Sequence, residues 1–437
     1  MSFVPKKQAY NAHINEVVLG VGEKAVAIGG QNVLAFHTFD GEITNAPKIG
    51  VELTDAGMAM CTMPGEQKFY DGCATVADMA KRAATMEGAS FICLHLEGAD
   101  PNGENKSVDE CVELAKSGFE YFAGGEFQKV QGDGTGPDNH AVAASAGYNV
   151  VTTQADAAAL TAGAGKTLII AQNLADGKAM NYAMDAANGE WQLTDYVKKG
   201  IELLNNRKGF FLMTESGKID WACHANDAAA SIHDVLELSN AVETAVDFYN
   251  AHPNETLILV TADHETGGLA IGYKTTNYDT FLTNLTHQKM SYAKFDTDYV
   301  QNYIANKTPF ETAMQDVKAA FGLTLPTDPD AAKAGKLLLT DYEVQNLRTA
   351  YERTLQVGSS SQSKMSQQDY ELYGAYIPFS MAVCHTINHK SGMDHTTYAH
   401  TGAMVNLYAL GAGAEKFGGV YDNTEIYHKL AELTGVQ

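Results

Sequence analysis

An α/β fold with a largely parallel sheet, covered by helices on both faces, is what this sequence predicts, and three observations lead there. Compact apolar runs alternate with helix-period segments along the chain. Two of those runs, GFFLMT and TLILVT, end in acidic and imidazole side chains. In open α/β sheets ligands gather outside the carboxyl ends of strands. At 437 residues the chain exceeds one ordinary domain, so one large α/β domain or two domains are expected.

Taken in order, Asn15–Leu19 and Ala25–Gly29 read as short strands around a glycine turn. Val76–Met86 has helical spacing, and Ser90–Leu96 is a compact apolar strand. Ser107–Lys116 is predicted as a helix, N-capped by Ser107, with Cys111 and Leu114 inward. After Gly118 the loop QGDGTGPDN precedes an alanine-rich helix; its Gly132-Asp133-Gly134 follows QKVQ, not an apolar strand, and reads as a surface turn. Strands are predicted at Asn149–Thr153, Thr167–Ala171, Gly209–Thr214 and Thr256–Thr261, and the longest helix at Ala228–Asn250. From Tyr273 to Asn388 polar helices dominate, which suggests an insertion or cap at about 273–388. A strand at Met404–Ala409 and a helix near Glu425–Leu433 close the chain.

The formal net charge of −23 argues against a nucleic-acid partner, because phosphate backbones are held by clustered Lys and Arg. An anionic substrate would therefore need concentrated local positive charge, for which metal ions are a ready source. No apolar run reaches the ~18 residues that span a bilayer. The opening MSFVPKKQAYNAHINEVVLG has no apolar core and no cleavage site of a secretory signal. A cytoplasmic location and no membrane partner are the expectations. Cys61, Cys73, Cys93, Cys111, Cys223 and Cys384 show no CxxC spacing and read as free buried thiols.

Chemistry concentrates in three segments. GFFLMTESGKIDWACHAND delivers Glu215, Asp220 and His224, and the last two are four apart, so they share a helix face. TLILVTADHETGG delivers Asp263 and His264, and TTYAHTGAMVNLYALG places His400 just before a strand. Each has a plainer reading: Asp220 as a helix cap, Glu215 as a solvated loop acid, His224 or His400 as a core histidine, and Asp263–His264 as a structural pair. Carboxylate with imidazole suits zinc and similar divalent metals, and the joint occurrence at two strand ends favours a metal site.

On these residues the stretch from about Ser117 to Gln437 resembles the C-terminal two-thirds of a bacterial alkaline phosphatase. The carriers are E-x4-D-x3-H in ESGKIDWACH, the strand-end TADHETGG, the HTG of AHTGAMVNLYALG, and FGGVYDNTEIY. The resemblance implies a three-layer α/β/α sandwich over 116–437, incomplete at its N-terminal side. It implies that Asp220, His224 and His400 bind a first zinc (Zn2+), that Asp263 and His264 supply part of a second zinc site, and that Glu215 is one ligand to magnesium (Mg2+). The reaction implied is hydrolysis of a phosphate monoester, with inorganic phosphate as product and a serine as nucleophile. The family is often dimeric, so a homodimer is one expectation, and its members are generally exported.

The sequence departs from that pattern. The family's GDGMG-like strand end, its D-S-A/G-rich nucleophile segment and its phosphate-gripping Arg are missing, and Asp-Ser occurs nowhere in the chain. No catalytic nucleophile is assigned, and impaired turnover is expected. Residues 1–115 read as a separate β/α fragment: from about 1 to 113 they resemble the start of the small subunit of the corrinoid iron–sulfur protein of acetyl-CoA metabolism. NEVVLGVGEKAVAIGGQNVLAFHTFDGEITNAPKIGVEL and LHLEGADPNGENKSVDECV carry that likeness. The family folds as a (β/α)8 barrel, of which only the first elements are present. Two alternatives to a phosphatase stand beside it: a docking piece for a corrinoid protein, and a chimera with no selected function.

Overall fold

A computed structural model describes residues 119–128, 138–358 and 365–435, with shorter stretches between residues 17 and 95. The chain divides into two compact units. One comprises Met1–Glu113, Gln131–Pro137 and Gly413–Gln437, the other Leu114–Val130 and Asp138–Ala412.

In the first unit β1 (Val17–Leu19) pairs antiparallel with β2 (Val26–Ile28). β3 (Ile49–Thr54) and β4 (Ala89–His95) pair parallel, with the Val76–Ala83 helix between them in sequence. A parallel pair needs such a crossover, and it closes by burying Leu53 of β3 with Met79 and Ala83 of the helix. The Thr424–Thr434 helix also belongs to this unit. The expected Ser107–Lys116 helix and the Gly132-Asp133-Gly134 turn lie outside the described residues.

In the second unit β5 (Tyr121–Gly124), β6 (Asn149–Val151) and β7 (Thr167–Ile170) form a parallel sheet in the order β5–β7–β6. Every residue of β7 is buried. Its alternate side chains serve two clusters, Leu168 and Ile170 with Tyr148, and Ile169 with Val151 and Tyr196. A strand covered on both faces reads as a continuous apolar run, as TLII does.

Further along, β8 (Leu257–Val260) is followed by β9 (Glu265–Thr266), β10 (Ala270–Ile271), β11 (Met393–Asp394), β12 (His400–Thr401) and β13 (Tyr408–Gly411). These pair antiparallel as β8 with β13, β9 with β12 and β10 with β11. β13 starts at Tyr408, later than the predicted Met404, because β8 offers only residues 257–260 to pair with, and Met404 is left exposed.

The strand predicted at Gly209–Thr214 does not form. Its residues pair with no strand among those described, and Phe211 and Met213 are 64% and 73% exposed. A strand is held by its ladder and by burial of alternate side chains, and an apolar run alone supplies neither. Phe210 turns inward, its ring 5.5 Å from that of Phe248.

The segment 273–388 carries much of the largest apolar cluster, including Phe295, Phe321, Leu347, Phe379 and Ile387. The same cluster takes in Ala222, Ala225 and Ala228–Ala230, so small side chains let this helical layer approach the helix that bears Asp220 and His224 and the helix that follows it. Phe379 is fully buried, its ring 4.9 Å from Tyr351 and 6.2 Å from Phe295. Phe379→Ala is expected to cost about 3–5 kcal/mol in denaturant unfolding through the cavity it leaves.

Two acids sit buried on the Ala228–Ala251 helix and its cap. Asp227 is wholly enclosed and accepts from the backbone N–H of Ala230 and Tyr292 and from the Gln288 amide. Burial pushes its pKa up to about 6, against the pull of those hydrogen bonds. Asp234, 6% exposed, is pushed up to about 7 by burial, with Lys218 opposing. Because the folded pKa exceeds the ordinary value of 3.8, the contribution of Asp234 is fully present below that value and is lost as pH rises through about 7. Asp234→Asn should flatten the fall in melting temperature between about pH 4 and pH 7, as thermal melts across that range will show.

Candidate metal centre

The Gly217–His224 helix begins after Ser216, and its periodicity separates two faces. Lys218, Trp221 and Ala222 lie on one. The Lys218 ammonium is 2.6 Å from Asp176 Oδ1 and lies over the rings of Tyr182 and Trp221, at 4.2 and 4.3 Å. Burial lowers its pKa, and the Asp176 carboxylate opposes that shift. The anchored face leaves Asp220 and His224 on the other, with Asp220 Oδ1 3.4 Å from His224 Nε2.

What ends this helix also aligns the third candidate ligand. Asn226 takes a left-handed φ of 51°, a conformation asparagine tolerates better than most residues. Its side-chain amide then donates to the carbonyls of Cys223 and Thr397, at 3.1 and 2.9 Å. One residue on, the Tyr398 carbonyl accepts from His224 Nδ1 at 2.6 Å. That bond places the ring hydrogen on Nδ1 and leaves the Nε2 lone pair for a ligand.

His400 is set opposite Thr266 in the β9–β12 ladder. Gly267, at φ 84°, makes the close approach possible, since a Cβ there would lie 2.7 Å from the Cys223 carbonyl oxygen. In TADHETGG the glycine therefore follows from packing against the helix end.

One ligand atom each from Asp220, His224 and His400 lies within 4.8 Å of the others. His400 Nε2 is 4.0 Å from Asp220 Oδ1. Donors around a tetrahedral zinc with ~2.0–2.1 Å bonds sit about 3.3 Å apart, so one carboxylate and two imidazoles at these separations fit such an ion by chemistry and by span. The His264 ring stacks on His400 with centroids 3.5 Å apart, and its Nε2 is 3.2 Å from Asp263 Oδ2. Asp263 and His264 thus adjoin the first three without joining their group, and Asp263 is 81% exposed. Glu215 is exposed at the end of the unpaired 209–214 stretch and also stands outside the group.

Sequence reasoning missed Thr266, Asn226 and the Tyr398 carbonyl, which hold the candidate ligands rather than supplying them. The one signal available was positional: Asn226 directly precedes the helix cap Asp227, and Thr266 precedes a glycine pair.

The alkaline phosphatase family model matches residues 120–436. The chain belongs to the alkaline phosphatase family. A second model, the CO dehydrogenase/acetyl-CoA synthase delta subunit, matches residues 16–120, so the two resemblances read from the motifs meet at residue 120. Alkaline phosphatase 4 of Bacillus subtilis is 30% identical over 252 residues, covering 57% of this chain and 45% of that protein. The N-terminal stretch is 30% identical over 119 residues to the acetyl-CoA decarbonylase/synthase complex subunit delta of Archaeoglobus fulgidus, covering 26% of each. A cold-active alkaline phosphatase from a psychrophilic Shewanella has a similar fold, with TM-score 0.56 and 25% identity over 74% of this chain and 67% of that one. The chain spans less than half the length of the curated alkaline phosphatases that it matches over the longest stretches.

Purified full-length protein is expected to hold about one tight zinc equivalent. His400→Ala or His224→Ala should each abolish it, as elemental analysis after dialysis will show.

Proposed function

We propose that the second unit is a zinc-binding phosphatase-type domain whose substrates are phosphate monoesters and whose turnover is slow. The observation that carries this is the convergence of Asp220, His224 and His400 from a helix and a strand onto one point. Family membership supports the choice of substrate class. Zinc bound there would supply Lewis acidity and the positive charge that an anionic ester needs in a chain of net charge −23.

The chain's own groups account for the binding half of this chemistry. Asp220, His224 and His400 would hold the first ion, Asp263 and His264 part of a second, and Glu215 would contribute to a magnesium site only if the 209–214 stretch closed toward it. Thr266 carries the hydroxyl hydrogen-bonded to a candidate ligand, and both its proton and its acceptor side are engaged. It is therefore not a free nucleophile. The missing Asp-Ser motif points the same way.

Loss of a nucleophile commonly costs about 10⁴ to 10⁶ in rate. With zinc-loaded full-length protein and an aryl phosphate, hydrolysis should be measurable but slower than an intact family member by that order. A rate equal to an intact member would refute the reading of impaired catalysis; no zinc uptake at all would refute the metal site.

The match of residues 16–120 favours a second reading, in which this stretch docks to a corrinoid-protein partner. Specific retention of a purified corrinoid large subunit by the immobilised chain would support it, and no retention would count against it.

A further inference from the structure

We infer that the Thr266 hydroxyl dictates which nitrogen of His264 carries hydrogen, and so couples the two groups of candidate ligands into one network. The inference deepens the zinc-site reading and takes its functional meaning from it.

Thr266 Oγ1 lies 2.6 Å from Asp220 Oδ1 and 3.1 Å from His264 Nδ1. A carboxylate oxygen has no proton to give, so the hydroxyl must donate to Asp220. The threonine oxygen is then left as an acceptor, and His264 Nδ1 must carry the hydrogen that it receives. In the neutral ring Nε2 then holds a lone pair, 3.2 Å from Asp263 Oδ2. Two electron-rich atoms side by side form an arrangement that a shared cation stabilises.

Without the hydroxyl the preference reverses. Nothing would then hold the hydrogen on Nδ1, whereas a hydrogen on Nε2 could be donated directly to Asp263. The histidine and carboxylate would satisfy each other, and the lone pair would be lost as a ligand.

The same hydroxyl acts on the other group. Asp220 Oδ1, which accepts from Thr266, also faces His224 Nε2 at 3.4 Å and His400 Nε2 at 4.0 Å. Thr266 is 8% exposed and its backbone is held opposite His400 in the β9–β12 ladder, so the hydroxyl has little room to turn away. Thr266 is a positioning residue for both groups, and it touches no reacting atom.

Nitrogen-15 NMR of the histidine rings in the metal-free, full-length protein, at a pH high enough for the rings to be neutral, tests this directly. Hydrogen on Nδ1 of His264 is expected in the wild type and in Thr266→Ser, and hydrogen on Nε2 in the near-isosteric Thr266→Val. Hydrogen on Nε2 in the wild type overturns the inference without any variant, as does an unchanged ring in Thr266→Val. Titration with zinc alone then separates the two ideas. Thr266→Val should weaken uptake at the Asp263–His264 pair by about 10- to 100-fold, as for other outer-shell partners, and Thr266→Ser should restore it. A wild type that takes up no zinc sinks the proposed function, while the ring spectra still decide this inference.

Discussion

The Gly217–His224 helix stops at Asn226, whose left-handed φ of 51° turns the chain into the buried cap Asp227, and much of the candidate site depends on the polar groups released there. Asn226 ties the Thr397 carbonyl and accepts, through its own carbonyl, the Asn388 amide. His224 ties the Tyr398 carbonyl, and Asp227 ties Gln288 and the Tyr292 backbone. Each group is buried or half-buried, where a missing partner costs ~1–3 kcal/mol. The helix end therefore cannot shift without breaking contacts to several distant elements at once, and the ligand-bearing side chains inherit that constraint.

A chain of net charge −23 that also buries Asp227 and Asp234 holds carboxylates whose ionisation opposes folding near neutrality. Lys218 answers part of this, packed between two aromatic rings and paired with Asp176. Among the described residues, the face of the same helix bearing Asp220 and His224 has no such internal cation. One side of a single helix is neutralised by a lysine, and the other is chemically suited to a metal ion.

Much of this was legible in the sequence. E-x4-D-x3-H predicted a shared helix face for Asp220 and His224, and the alternation of apolar runs and helices predicted β6 and β7 in a parallel sheet, though not β5 beside them. The supporting residues were not legible, because each acts through one polar atom on a partner remote in sequence: Asn226 reaches 171 residues to Thr397, and His224 reaches 174 to Tyr398. Gly209–Thr214 misled for a related reason. GFFLMT has the composition of a strand, but strand formation is settled by a neighbouring strand, and no described strand pairs with it.

By itself the sequence determined which residue types could serve a divalent cation, where the longest helix and the β6, β7 and β8 strands lie, and which family pattern those residues follow. Those properties reside in contacts a few residues apart. Only the tertiary structure decided that Asp220, His224 and His400 converge while Glu215 stays outside, and that one threonine bridges the acid of one segment and the imidazole of another. Convergence requires a ladder register and a helix end to be set together, and both come from hydrogen bonds between segments far apart in the chain.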